Sequence, residues 1–314
     1  MAKFHFDSMK YLYPDTSIWN CLCDQDADPN ALSSALANRG IGLVIGFNVL
    51  YEMAKPFFTG TNEATERGRQ LLTYLNHYLA LGVPIVKENW ALLIEEALDV
   101  TGHTPMKSCF RDNSQYEMTV HEIDKLLRGE ITPEVVEFFA GRKSLVRTSR
   151  TAMKNRLDDR PEVKAIFAKT SDEDLSHFLS TATTGMAGQF MLLGHLRMEF
   201  PKDSPDDLAA VSALLLRSPK YRLSHALTRT DLYLNWRWAR RGSIRADSPD
   251  DAFHIVSAAY CDIFATREAD QADIAHHAIE GIQTLVVNED EIVADRLVSA
   301  QERKADDSQD RTST

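Results

Sequence analysis

Four acidic side chains, Asp15, Glu52, Asp251 and Glu268, stand where a parallel α/β sheet would gather reactive groups. Asp15 ends an aromatic and apolar run at residues 10–13. Glu52 falls on the first turns of a helix that follows a second apolar run at residues 40–46. Asp251 opens a helix after Ser248 and Pro249, and Glu268 closes the stretch 262–266. Carboxylates crowded into one pocket repel, and a hard divalent cation such as Mg²⁺ or Mn²⁺ relieves them. A cation held this way polarises a phosphoryl oxygen and lowers the pKa of bound water, so that water attacks a phosphodiester near neutral pH. Singly, each acid has a plainer reading. Asp251 suits a helix cap, Glu52 a solvated helix face, Asp15 a turn, and Asp262 a turn before a strand rather than a ligand. Only the set carries the chemistry.

These acids need a scaffold, and the pattern supplies one. Strands are expected at 10–13, 40–46 and 83–87, with helices at 30–38, after a cap at Asn48, and at 71–81 up to Gly82. From 89 to 245 only helical periodicity appears, at 90–100, 120–127, 133–140, 172–180, 208–217 and 222–241. Strands return at 262–266 and 283–287, preceded by helices at 249–260 and 269–279. The expected fold is therefore α/β, a parallel sheet interrupted by a large all-α insertion. The tail 299–314 reads as solvated and disordered.

Three segments, residues 11–19, 48–54 and 251–268, resemble the PIN domain family of nucleases in the right order. The resemblance covers about 10–88 and 246–292 and leaves the helical insertion 89–245 outside. It implies a three-layer α/β/α PIN-like domain in which Asp15, Glu52, Asp251 and Glu268 are catalytic and bind Mg²⁺ or Mn²⁺. Ser17 and Thr266 become supporting hydroxyls behind those ligands. Where the family most often has Asp, this chain has Glu268, with Asp270 two residues further on; either could fill the fourth metal position. Small toxins of the family carry nothing like the long insertion, so toxin identity is not implied. His254, set between Phe253 and Ile255, reads as a core or supporting histidine rather than a general base. Cys21 and Cys23, with no partner pair, receive no role.

A nucleic acid would need a basic track. On the helix at 222–241, Arg222, Arg229, Tyr233, Trp236, Arg237 and Arg240 share one side, beside an apolar stripe of Leu223, Leu227, Leu234 and Trp238. Guanidinium groups there could follow phosphates while the rings stack unpaired bases. Arg245 continues this track, and residues 142–150 with Lys154 and Arg156 extend it. The alternative is a solvated face paired with the chain's many carboxylates.

The bulk composition sets outer limits. With 314 residues, 44% hydrophobic and 26% charged, the chain suits one large domain or two modest ones. Its longest apolar stretch, 41–47, is far short of the ~18 residues a membrane span needs, and the N-terminus lacks a secretory pattern. A cytoplasmic protein with four reduced thiols is expected. A net charge of −11 speaks against bulk electrostatic attraction to nucleic acid but not against a local groove. The leading expectation is a metal-dependent endoribonuclease with RNA as partner. The alternative is a PIN-like module without turnover that binds RNA or an assembly or inhibitory protein through the insertion.

Overall fold

Tyr11, Leu12 and Tyr13 form the middle of a strand that Pro14 ends, and Lys10–Pro14 is β1 of the computed structural model. The structure describes residues 9–140, 161–241, 252, 254–288 and 291–299. Asp15 caps α1 (Thr16–Asp24), and Asp28 caps α2 (Pro29–Ala37). The apolar run at 40–46, expected as one strand, divides at Val44 into β2 (Ile41–Leu43) and β3 (Ile45–Gly46). Val44 donates to the Leu12 carbonyl and Ile45 to that of Pro84, so the chain passes from one neighbour to another within two residues. Helix α3 (Phe47–Ala54) starts one residue before Asn48, with Gly46 at the capping position. Asn48 is thus inside the first turn rather than its cap.

Next come α4 (Pro56–Thr59), α5 (Asn62–Ala80) and β4 (Ile85–Val86). Helix α5 begins well before residue 71 because Thr61 caps a polar first half that has no apolar stripe to reveal it. The helical block comprises α6 (Asn89–Val100), α7 (Asn113–Leu127), α8 (Pro133–Ala140), α9 (Pro161–Lys169), α10 (Leu175–Thr184), α11 (Met186–Glu199), α12 (Pro205–Arg217) and α13 (Arg222–Arg241). Sequence periodicity does not reveal α9 or α11; in α11 the apolar residues run all round the helix instead of along one face. After a 3₁₀ turn at Ser257–Tyr260, β5 (Ile263–Thr266), α14 (Ala269–Ala278), β6 (Gln283–Val286) and α15 (Val293–Val298) complete the order.

Among the described residues the named strands pair in parallel, and Val86 of β4 makes one antiparallel bridge to Phe110. A four-stranded sheet runs β2-β1-β5-β6, and β3 pairs with β4 beside it. The fold is therefore mixed α/β with a small parallel sheet. Buried side chains form one continuous core, from Leu12 and Phe264 on the sheet to Leu215 and Trp236 in the helical block. No helix among the described residues is long and apolar enough to cross a membrane.

Candidate active site

The chain passes from β1 to β2 on one side, and β5, which follows the helical block, lies on the other side of β1. Between the carboxyl ends of β1 and β5 the sheet order reverses, and there a parallel sheet opens a crevice. Asp15 lies in it. Its backbone N–H donates to the Ala265 carbonyl at 2.9 Å, which completes the last β1–β5 pair, Pro14 with Ala265. Its side chain is 4% exposed and accepts three hydrogen bonds. Oδ1 takes the Ser17 hydroxyl at 2.6 Å and the Ile18 N–H at 2.9 Å; Oδ2 takes the Thr266 hydroxyl at 2.6 Å. Burial pushes the Asp15 pKa up, against the pull of those three donors, and the negative charge of Glu268 adds to the rise.

Glu52 is joined to the same place through the residue after Asp15. Thr16 donates its hydroxyl to Oε2 at 2.5 Å, and His254 Nε2 meets Oε1 at 2.9 Å. Burial alone would raise the Glu52 pKa. The hydrogen bond and charge of His254, together with the Thr16 bond and nearby Lys55, outweigh it and hold the carboxyl below its ordinary value. Two carboxylates on neighbouring elements are thus poised oppositely.

Glu268 occupies the capping position of α14 and is exposed, and its backbone N–H donates to the Thr266 hydroxyl at 3.0 Å. Asp270 sits 3.5 Å from Arg237 of α13. Of the two acids considered for the fourth position, Glu268 adds its negative charge to the rise in the Asp15 pKa. Asp251 lies outside the described residues, as do Arg245, residues 142–150, Lys154 and Arg156. Ser17, Thr266 and His254 each contact a carboxylate of the pair. Asp262 accepts the Tyr11 N–H at 2.8 Å, tying the start of β5 to β1. Arg267 places Nη1 2.9 Å from Cys21 Sγ, and the four cysteines are unbridged.

The face of α13 read as a nucleic-acid track does not lie open. Arg229 and Arg237 are 7% and 9% exposed, and Tyr233 and Trp236 are buried. Arg229 donates to the His277 carbonyl, Tyr233 to Asp273, and Trp236 to the Thr170 carbonyl. Arg222 donates to the Cys261 carbonyl, and Arg240, though exposed, is held by Thr170 and Asp172. Helix α13 packs against α9, α10 and α11 as well as α14, so its polar side is internal as well as its apolar stripe. The helical wheel cannot show this, because it separates polar from apolar faces without saying what covers either.

Sequence reasoning missed Thr16, Asn48, Asn89 and Ser257. Asn48 donates to the Ser257 hydroxyl at 2.7 Å, which donates to Asn89 at 2.9 Å. A signal was available: Asn48 precedes Glu52 by four residues and Ser257 follows His254 by three, each about one helical turn.

Among the described residues no three His, Cys, Asp or Glu side chains gather closely enough to hold an ion. Asp15 and Glu52 nevertheless fit a hard cation in kind. Each is an oxygen donor, and among the described residues Asp15 Oδ2 and both Glu52 oxygens accept one hydrogen bond apiece, which leaves a lone pair on each. No family model matches the chain, and no curated protein or solved structure matches it either.

Proposed function

We propose that the chain is a metal-dependent endonuclease acting on RNA, with Asp15, Glu52, Asp251 and Glu268 as the cation's oxygen donors. One observation carries this reading. Segments far apart in sequence meet at the switch point through direct bonds, Asp15 to Thr266 and Thr16 to Glu52 to His254. Those are the segments whose motifs resemble the PIN family, and RNA as substrate comes from that resemblance.

A bound Mg²⁺ or Mn²⁺ would polarise the phosphoryl group and make water nucleophilic at neutral pH. The chain's own residues prepare for it. Asp15 must be ionised to donate, and its three partners all donate hydrogens, so they favour the charged form that burial opposes. Thr16 and His254 fix the Glu52 carboxylate by both oxygens. Glu268, exposed at the head of α14, faces solvent from which a substrate would arrive.

With water as nucleophile, cleavage of an RNA pool should need Mn²⁺ or Mg²⁺ and leave 5′-phosphate and 3′-hydroxyl ends. Ends bearing 2′,3′-cyclic phosphate, or cleavage that persists in a chelator, would refute the proposal. A second reading has its own support, since Asp15 already serves as the α1 cap with Oδ1 doubly engaged. In that reading the acids only join elements, and RNA or a protein partner binds without turnover.

A further inference from the structure

The hydrogen-bonded chain of Asn48, Ser257 and Asn89 lies outside the proposed chemistry, yet it runs alongside the Glu52–His254 pair. On α3, Asn48 and Glu52 share a face; Ser257 and His254 share one on the segment that follows residue 251. The two segments are therefore linked twice, one turn apart, by Asn48 to Ser257 at 2.7 Å and His254 to Glu52 at 2.9 Å. Together with the buried Val49, Leu50 and Met53, the two links fix the height and rotation of α3 relative to the His254 segment. Asn89, first residue of α6, anchors the chain by accepting the Ser257 hydroxyl. A hydroxyl has one proton, so donating it to Asn89 aims the Ser257 lone pairs at the Asn48 amide. Ser257 is 1% and Asn89 8% exposed, which leaves little room for water to replace either bond. The buried Tyr13 hydroxyl lies beside Ser257 and brings β1 to the same point.

We infer that Asn48, Ser257 and Asn89 are positioning residues that fix the His254 ring against Glu52 and thereby set the aim of that carboxylate. Their bearing on catalysis rests on the nuclease reading; their bearing on His254 does not. The test is a long-range ¹H–¹⁵N correlation of the histidine rings in the ¹⁵N-labelled full chain, at one neutral pH and without metal, with His254 assigned through His254→Gln. Wild type should show one sharp ring pattern with a proton on Nε2. Asn48→Ala and Ser257→Ala should shift both ring nitrogens away from their wild-type positions, and Ser257→Thr, which keeps the hydroxyl, should leave them in place. Ile255→Val, which trims a buried apolar contact on the same helix, should leave them in place. A wild-type ring pattern in folded Asn48→Ala and Ser257→Ala would overturn the inference.

Cleavage kinetics separate the two claims. If wild type cleaves RNA, Asn48→Ala should lower kcat on the order of tenfold to a hundredfold with KM little changed. A ring that responds in a protein that never cleaves would sink the nuclease reading and leave the positioning role standing. Cleavage with an unresponsive ring would do the reverse.

Discussion

Two buried acids show how much depends on what kind of donor faces a carboxylate. Asp15 meets two hydroxyls and one backbone N–H, whereas Glu96 of α6, fully buried, accepts the Leu223 and Ser224 N–H groups and the Ser224 and Tyr260 hydroxyls. Burial raises the pKa of both. Hydroxyls can turn and accept, but a backbone N–H cannot. In Asp15→Asn the new amide can donate to Thr266, whose own proton then points to Gln271 at 3.3 Å. A raised folded pKa means that stability is full below the unfolded value and is lost as pH rises through the folded one. Asp15→Asn should therefore raise the thermal midpoint of the metal-free protein at pH 7, and the advantage should shrink as the buffer is acidified. Glu96→Gln sets an amide against a backbone N–H on one side and should destabilise by about 1–3 kcal/mol in urea unfolding. Glu52 has the opposite sign. Its depressed pKa contributes stability above the ordinary glutamate value, which is lost as pH falls through the folded one, so His254→Gln should flatten the acid limb of the pH–stability curve.

Helices carry these residues to the site, and their placement depends on close approaches that no propensity describes. A Cβ on Gly46 would lie 1.9 Å from the Tyr13 hydroxyl, so β3 can reach β1 and launch α3 only without a side chain there. Gly46→Ala should cost about 1–3 kcal/mol and weaken metal binding by displacing Glu52, with Tyr13→Phe restoring stability in part. At the other side of the site, α13 holds α14 through Arg237 with Asp270, Tyr233 with Asp273 and Arg229 with the His277 carbonyl. Replacing Arg229 and Arg237 by Glu should then unfold the protein more readily, on the order of 3 kcal/mol, rather than change only the salt dependence of RNA binding. A folded variant of wild-type midpoint with an altered salt slope would restore the open-track reading. Strands with Pro or Gly punctuation, and helices with a single stripe, were legible in sequence; β1, α8 and α13 fall where their patterns predict. The split at Val44, the polar start of α5 and the all-round apolar α11 were not, because tertiary pairing or burial decides them.

The whole molecule joins a small parallel sheet and a large helical block through one core, with β1, β3 and β5 delivering Asp15, the start of α3 and Thr266 to one end. Acids at strand ends could be read from spacing, and the hydroxyls of Ser17 and Thr266 from the family resemblance; Thr16 and Asn89 could not, since they gain meaning only when distant segments meet. The central claim is that this acidic end holds a divalent cation. Calorimetric titration of Mn²⁺ and Mg²⁺ into wild type, Asp15→Asn and Glu52→Gln tests it most directly, with the thermal midpoint followed in the same samples. The account predicts saturable binding that stabilises wild type and is lost in both variants, so that Asp15→Asn is more stable than wild type without metal and gains nothing from it. No binding by wild type, or equal binding by all three proteins, would contradict it.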